Sequence, residues 1–234
     1  VTRSAARTSR VEEDYLRLIW KAQEWEQRGA TPAELSAATG TVPSAVTGAL
    51  ARLAKRGLIE HEPYGPATLT EAGRRLAVPM VRRHRLIETL LVERFGYTWD
   101  EVDEEAELLE HAISDRFLDR IDAMLGFPAH DPHGDPIPDR AGRVDRPATI
   151  RLRDLPDGQT AEVVRVSDHD PALLRYFAEL GIVPGARVQI LARREFAASV
   201  AVVVGGTSRE LSLVAAGSVW TTDPGDGPDP RPAG

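Results

Sequence analysis

Thr31-Pro32-Ala33-Glu34-Leu35-Ser36-Ala37-Ala38-Thr39-Gly40-Thr41-Val42-Pro43-Ser44-Ala45-Val46-Thr47 is the stretch that decides the fold. It opens with a written helix start. Thr31 can cap, Pro32 suits the first helical position, and Glu34 closes a capping box. Leu35 and Ala38 supply an apolar face. Gly40-Thr41-Val42 is a short turn, and Pro43 opens a further helix from about Ser44 to Arg56, with Val46, Leu50 and Leu53 inward. A helix, a tight Gly-containing turn and a second helix have helix-turn-helix spacing.

The flanks extend that reading. Upstream, residues 1–9 are small, polar and basic and read as an arm. Val11, Tyr15, Leu16, Leu18, Ile19 and Trp20 then recur at helical spacing through about Gln27. Downstream, Leu58–Glu62 and Ala67–Thr70 alternate around the turn residues Pro63-Tyr64-Gly65-Pro66, which predicts a short hairpin, or wing. A long helix is expected over residues 71–95, kinked or restarted at Pro79, and another over 99–125. Residues 126–148 are rich in Pro, Gly and Asp and read as an irregular connection. Beyond them the apolar period becomes two: Ile150, Leu152, Val163, Val188, Ile190, Val200, Val202 and Val219 fall on short strands, interrupted by a helical segment at 171–181. The fold class is therefore mainly α with a C-terminal β domain: winged helix-turn-helix over 1–77, a helical domain over 78–146, a small β-barrel over 147–222, and a disordered tail over 223–234.

With 42% hydrophobic residues in 234, the chain can build a real core. It has no cysteine, which excludes disulfides, thiolate zinc sites and cysteine nucleophiles. No apolar run approaches a membrane span and no charged-then-apolar leader opens the sequence, so a cytoplasmic protein is expected. The net charge of −7 is unevenly spread. Residues 1–85 carry 14 Lys/Arg against 9 Asp/Glu, residues 86–146 carry 6 against 16, and residues 147–234 carry 9 against 11. A basic front suits a polyanion and an acidic middle suits a cation.

On the helix after the turn, Ser44, Thr47 and Arg52 are left outward by the apolar face. Together with Thr41, Pro43 and Lys55 they are candidates for DNA contact. Their short side chains make no bidentate base pairing, so specificity would rest on van der Waals contact and DNA shape. In the acidic middle, Glu107, Glu110 and His111 stand at i, i+3 and i+4, as do His84 and Glu88 at i and i+4 on the preceding helix. Such spacing puts donors on one face, where a divalent ion relieves carboxylate repulsion. The same residues also read as a solvated acidic face, and Asp14 as a carboxylate in a helix's first turn. Asp131 and His133 in the connection, and Asp168, His169 and Asp170 after it, are turn chemistry or further ligands. No nucleophile motif, phosphate loop or separate general base accompanies them, which weighs against a metalloenzyme. A metal-independent winged-helix regulator stays open on the residues alone.

The order of these features resembles the diphtheria-toxin-repressor family in its three-domain form. The likeness is carried by Glu13-Asp14-Tyr15-Leu16-Arg17-Leu18-Ile19-Trp20, Pro43–Thr47, Leu58-Ile59 through Leu69–Gly73, His84-Arg85-Leu86-Ile87-Glu88, Leu109-Glu110-His111-Ala112-Ile113-Ser114-Asp115, Pro132–Pro138 and Leu180–Gly185. The resemblance implies a homodimeric, metal-activated repressor of operator DNA of metal-homeostasis genes, with an SH3-like C-terminal domain. It implies a primary metal site of Asp14, Glu107, Glu110 and His111. It also implies an ancillary site of His84, Glu88, Asp131 and His133, with Asp168 or Asp170. Iron-sensing members carry Met and Cys where this chain has Asp14 and Glu107. Two hard oxygens in place of two sulfurs point to Mn²⁺, with Fe²⁺ as the alternative. Small manganese sensors hold a second, adjacent ion with a Glu where this chain has Arg17, so a closely spaced binuclear site is not expected.

Overall fold

A computed structural model describes residues 9–26, 28–62 and 65–224. The expected arm before Ser9, the wing tip at Pro63-Tyr64 and the tail beyond Pro224 lie outside the described residues. The chain divides into two compact units. One comprises residues 1–84, 109–114 and 138–143; the other comprises residues 85–108, 115–137 and 144–234.

In the first unit, α1 (Arg10–Glu26), α2 (Pro32–Thr39) and α3 (Pro43–Lys55) are followed by the hairpin β1 (Ile59–His61) and β2 (Ala67–Leu69). The start of α1 repeats the capping logic of the quoted stretch. Ser9 N–H donates to Glu12 Oε2 at 3.0 Å, and Glu12 N–H donates to Ser9 Oγ at 3.3 Å. At α2 the expected capping box of Thr31 and Glu34 is present, and Gly40 ends the helix in the left-handed region at φ 63°. Tyr15, Leu16, Ile19, Leu35, Val46, Leu50 and Leu53 form its buried interior. The wing is joined to α1 by Gln23, whose Oε1 accepts from Leu69 N–H at 2.8 Å.

Helix α4 (Glu71–Phe95) continues through Pro79 as one helix, so it does not restart there. Pro79 and Arg75, whose carbonyl loses its partner there, are both exposed, so water can satisfy it. The single helix expected over 99–125 is instead two: α5 (Val102–Glu110) and α6 (Asp115–Met124). The N–H groups of Ala112 and Ile113 both turn back to the Leu109 carbonyl, which ends α5. His111 thus lies just past the helix that carries Glu107 and Glu110.

The second unit is dominated by one antiparallel sheet. Its strands are β3 (Thr149–Arg151), β4 (Thr160–Val166), β5 (Arg187–Arg194), β6 (Ser199–Val204), β7 (Thr207–Ser212) and β8 (Val219–Thr222), in the order β3-β8-β4-β5-β6-β7. The ladder does not close among the described residues, so the pairing is that of an open sheet rather than the expected closed barrel. β6 and β7 join through Gly205-Gly206, both at positive φ, the two-residue turn that matches strand twist. Helix α7 (Pro171–Leu180) and the short α8 (Leu213–Ala216) accompany the sheet. Val163, Leu174, Phe177, Ile190, Val202 and Val219 are in its core.

One irregularity redirects a charged residue. β4 carries a bulge between Val163 and Arg165 in its pairing with β8. Past it, Arg165 and Val166 are both buried, so the alternation is broken and the Arg165 side chain is aimed inward.

Candidate metal centres and nucleic-acid interface

Among the described residues, two groups of carboxylates and imidazole each lie wholly within one unit. In the first, Asp14 of α1 meets Glu110 and His111, with one donor atom from each within 4.8 Å of the others. His111 Nε2 lies 2.7 Å from Asp14 Oδ1 and 3.5 Å from Glu110 Oε1, and its Nδ1 is 3.4 Å from Glu13 Oε2. Glu110 is fully buried. Its Oε2 accepts from His84 Nδ1 at 2.7 Å, while Oε1 lies 3.5 Å from Arg17 Nε. Arg17 Nη1 donates to His84 Nε2 at 3.4 Å, which leaves the His84 proton on Nδ1. Glu110 Oε1 has no hydrogen-bond partner among the described residues. Burial pushes Asp14 above its ordinary range, and the Glu110 charge adds to this against the pull of His111. Burial works the same way on Glu110, but the His84 hydrogen bond and the Arg17 charge prevail and lower it.

In the second unit, Glu88 of α4 meets Asp131 and His133 of the connection, all three buried. The loop builds its own frame: Asp131 Oδ1 accepts from the N–H groups of His133 and Asp135, each at 2.9 Å. Val166 N–H of β4 donates to the His133 carbonyl at 2.9 Å. Gly134 sits at φ +91°, where a Cβ would lie 2.0 Å from the Val164 carbonyl oxygen, so no other residue fits this approach. His133 Nε2 lies 2.7 Å from the Trp99 carbonyl oxygen, which can only accept, so Nε2 carries the proton. Nδ1 is then directed at Glu88 Oε1 (3.9 Å) and Asp131 Oδ1 (4.0 Å), and has no hydrogen-bond partner among the described residues. An imidazole fixed by a carbonyl through one nitrogen, with the other presented to carboxylates, is the usual dressing of a metal ligand. Burial and the Asp135 and Glu88 charges push Asp131 up to about 8. His133 is also raised, because the Glu88, Asp131 and Asp168 charges outweigh its burial.

A buried charge network braces this loop. Arg85 Nη1 donates to the Pro136 carbonyl at 2.7 Å, its Nε lies 3.6 Å from Asp131 Oδ2 and its Nη2 lies 3.5 Å from Asp135 Oδ1. Arg165 Nε donates to Asp135 Oδ1 at 2.7 Å, Nη2 is 3.6 Å from Asp168, and the guanidinium lies over the Trp220 ring. Despite full burial, Asp135 is lowered by Arg165 and Arg85.

Not all the expected ligands meet. Asp14, Glu110 and His111 converge; Glu107 is not in that group. Glu88, Asp131 and His133 converge, and Asp168 reaches them through its charge. His84 gives Nδ1 to Glu110 and, as its i, i+4 spacing implied, also has a donor atom within 4.8 Å of one on Glu88 along α4. Asp170 caps α7, accepting from Ala172 N–H at 2.8 Å, and is exposed, so it lies outside the group. Asp103 was missed: one of its carboxylate oxygens lies within 4.8 Å of Glu88. Its position four residues before Glu107 was the available signal. Arg165 was missed too, although an arginine inside Val163-Val164-Arg165-Val166 breaks an apolar strand.

Of the candidates for DNA contact, Pro43, Ser44, Thr47, Arg52 and Lys55 are exposed along α3. The Thr47 hydroxyl donates to the Pro43 carbonyl at 3.0 Å, which leaves its methyl outward. Thr41 differs. Its hydroxyl is bonded within the fold, 3.0 Å from Tyr15 Oη and 2.7 Å from Thr39 Oγ1.

The sequence patterns of the iron dependent repressor match in chain order: the N-terminal DNA binding domain over residues 7–67 and the metal binding and dimerisation domain over 70–139. The iron-dependent repressor IdeR of Mycobacterium tuberculosis is 33% identical over 192 residues, covering 76% of this chain and 82% of that one. The chain belongs to the iron-dependent, or diphtheria toxin, repressor family. This repressor also matches an FeoA domain over residues 150–222, the SH3-like module of the three-domain form. The diphtheria toxin repressor of Corynebacterium glutamicum is 32% identical over 193 residues, covering 76% of this repressor and 82% of its relative. Among solved structures, a manganese-dependent transcriptional repressor in complex with manganese is 48% identical, with a TM-score of 0.85 over 91% of this chain and 99% of its own. The IdeR of T. acidophilum is 30% identical, with a TM-score of 0.79 over 94% and 99%. The repressor is thus a metal-dependent regulator of transcription rather than an enzyme, and no described helix is long and apolar enough to cross a membrane.

Proposed function

We propose that this repressor is activated by Mn²⁺ and, as a homodimer in the cytoplasm, binds operator DNA of metal-homeostasis genes. The observation that carries the reading is the donor set: Asp14 joins Glu110 and His111 with hard oxygens and one imidazole, and no sulfur. The family's ligand pattern adds Glu107, one turn before Glu110 on α5, although it stands outside the group that forms here. Glu88, Asp131 and His133, with Asp168, form a second. The similarity to a manganese-dependent repressor at 48% identity supports the same metal. The iron-dependent names of the curated relatives keep Fe²⁺ as the second reading.

A divalent cation supplies the positive charge that lets the Asp14 and Glu110 carboxylates share one pocket. Asp14 then ties α1 to the end of α5. Glu110, already held by His84 and Arg17, fixes where that tie is made. In a dimer, the two α3 helices present Pro43, Ser44 and Thr47 to base edges and Arg52 and Lys55 to phosphates, about one DNA turn apart. The domain bounds that accompany this reading are 1–77, 78–146 and 147–222.

The test is an operator-binding titration with Mn²⁺ and with chelator. Binding that persists unchanged in chelator removes the metal from the mechanism and favours a metal-independent winged-helix regulator. The metal itself is tested by Asp14→Met combined with Glu107→Cys, which should shift competition toward Fe²⁺. Unchanged competition would mean that ligand softness does not set the preference.

A further inference from the structure

Four consecutive residues of α1 face two ways. Glu13 and Asp14 reach His111, at 3.4 and 2.7 Å. Glu12 and Tyr15, three apart and hence on a common face, reach the two ends of α3 instead. At its N-terminal end, Tyr15 Oη lies 3.0 Å from Thr41 Oγ1, in the turn that precedes Pro43. Thr41 is fixed there by Thr39 Oγ1 and by Ser36 Oγ, which donates to the Thr41 carbonyl at 2.6 Å. At the C-terminal end, Arg56 caps α3 and donates from Nη1 to Glu12 Oε2 at 2.7 Å; Arg52 Nε is 4.0 Å from Glu12 Oε1. Glu12 and Tyr15 are buried, and Ser9 N–H holds Glu12 from behind.

We infer that Glu12 and Tyr15 are positioning residues that transmit occupancy of the Asp14 site to both ends of the DNA-contacting helix. The inference rests on reading Asp14, Glu110 and His111 as the activating metal site. Fixing Asp14 fixes the turn of α1 that carries all four residues. Two hydrogen bonds on the other face then set the entry turn and the terminal cap of α3. Neither Glu12 nor Tyr15 need touch metal or DNA.

The experiment compares Tyr15→Phe and Glu12→Gln with the parent. Each is measured for Mn²⁺ affinity by calorimetry without DNA, and for operator affinity in saturating Mn²⁺ and in chelator. Both substitutions keep the side chain's size, and thermal unfolding confirms that the variants are folded. Mn²⁺ affinity without DNA should stay within about twofold of the parent. Each variant should lose roughly threefold to tenfold of the metal-stimulated increase in DNA affinity, the worth of one net hydrogen bond. In a double-mutant cycle, Thr41→Val should cost less on the Tyr15→Phe background than on the parent, because the Tyr15–Thr41 bond is already gone and only the Thr39 bond is left to lose. A stimulation factor equal to the parent's overturns the proposal, and so does an equal loss of DNA affinity with and without metal. A parent that does not respond to metal instead overturns the reading on which the proposal rests.

Discussion

The two carboxylate–imidazole groups use the same donor chemistry but are built in opposite ways. Asp14 and His111 keep 30% and 11% of their side-chain surface, and their group is gathered from separate elements, α1 and the end of α5. Glu88, Asp131 and His133 keep no more than 2%; Glu88 comes from the middle of α4, and Asp131 and His133 hang on a loop that hydrogen-bonds to itself, to β4 and to two buried arginines. The first arrangement can move a helix when its charge balance changes. The second is locked before any ligand arrives. A sensor needs the first kind of site for its response, because a ligand shifts a conformational balance only by its differential affinity for the two states. The second kind suits structural support.

The contrast is broken most directly at Arg165. Arg165→Met leaves Asp135 buried without its strongest partner, and such losses cost about 3–5 kcal/mol. Chemical denaturation should show that loss, with binding at the second group falling alongside. A variant as stable as the parent would mean that the loop is not braced by charge.

At the other group the expected loss is in response rather than stability. Asp14→Ala or Glu110→Ala should cut metal-stimulated operator binding by about 100-fold, within the usual range of allosteric coupling. Asp14 is raised by burial, so removing its carboxylate should cost little folding stability. Fluorescence anisotropy with labelled operator reads the first effect, and a melting curve the second. A response like the parent's would remove Asp14 or Glu110 from the activating site.

His133→Ala should have a smaller effect, lowering metal-stimulated DNA binding by about tenfold while removing one bound ion per chain from the calorimetric stoichiometry. Two ions still bound at parental affinity would take His133 out of the ligand set.

What the sequence disclosed obeys the same division. Local signals were legible: the Thr31/Glu34 box, the Gly40 stop, the paired strands of the wing and the two-residue period after 148 each act within a few positions. The break after Glu110 was not, because Glu-His-Ala-Ile-Ser-Asp contains no Gly or Pro to announce it. Nor did the open sheet emerge from alternation, which places residues on faces but says nothing of whether the edge strands meet. The donors at Asp14, Glu110 and His111 were named through a family likeness; 97 residues separate Asp14 from His111, and only tertiary packing brings them together. Asp170, named as the alternative to Asp168, has a local use instead. Asp before Pro171 is a helix-cap signal, and local capping is where its carboxylate is used.

The smallest predicted effect tests how weakly charges near water hold the unit that contains Asp14. Glu34 is pulled down to about 2, chiefly by its hydrogen bonds to Arg28 and then by the capping box with Thr31. A carboxylate depressed in the folded state stabilises it above the unfolded value of 4.5, and that contribution disappears as pH falls through about 2. Both side chains of the Arg28–Glu34 pair are about half exposed, at 49% and 47%, so solvent screens most of the effect. Glu34→Gln retains much of the cap and removes only the ion pair. It should cost under about 1 kcal/mol at neutral pH, and the gap from the parent should close between pH 4.5 and about 2. Denaturation curves across that range decide it. A gap that stays constant with pH would show that the cap rather than the charge carries the contribution, and the contrast with the buried Arg165 network would then rest on that network alone.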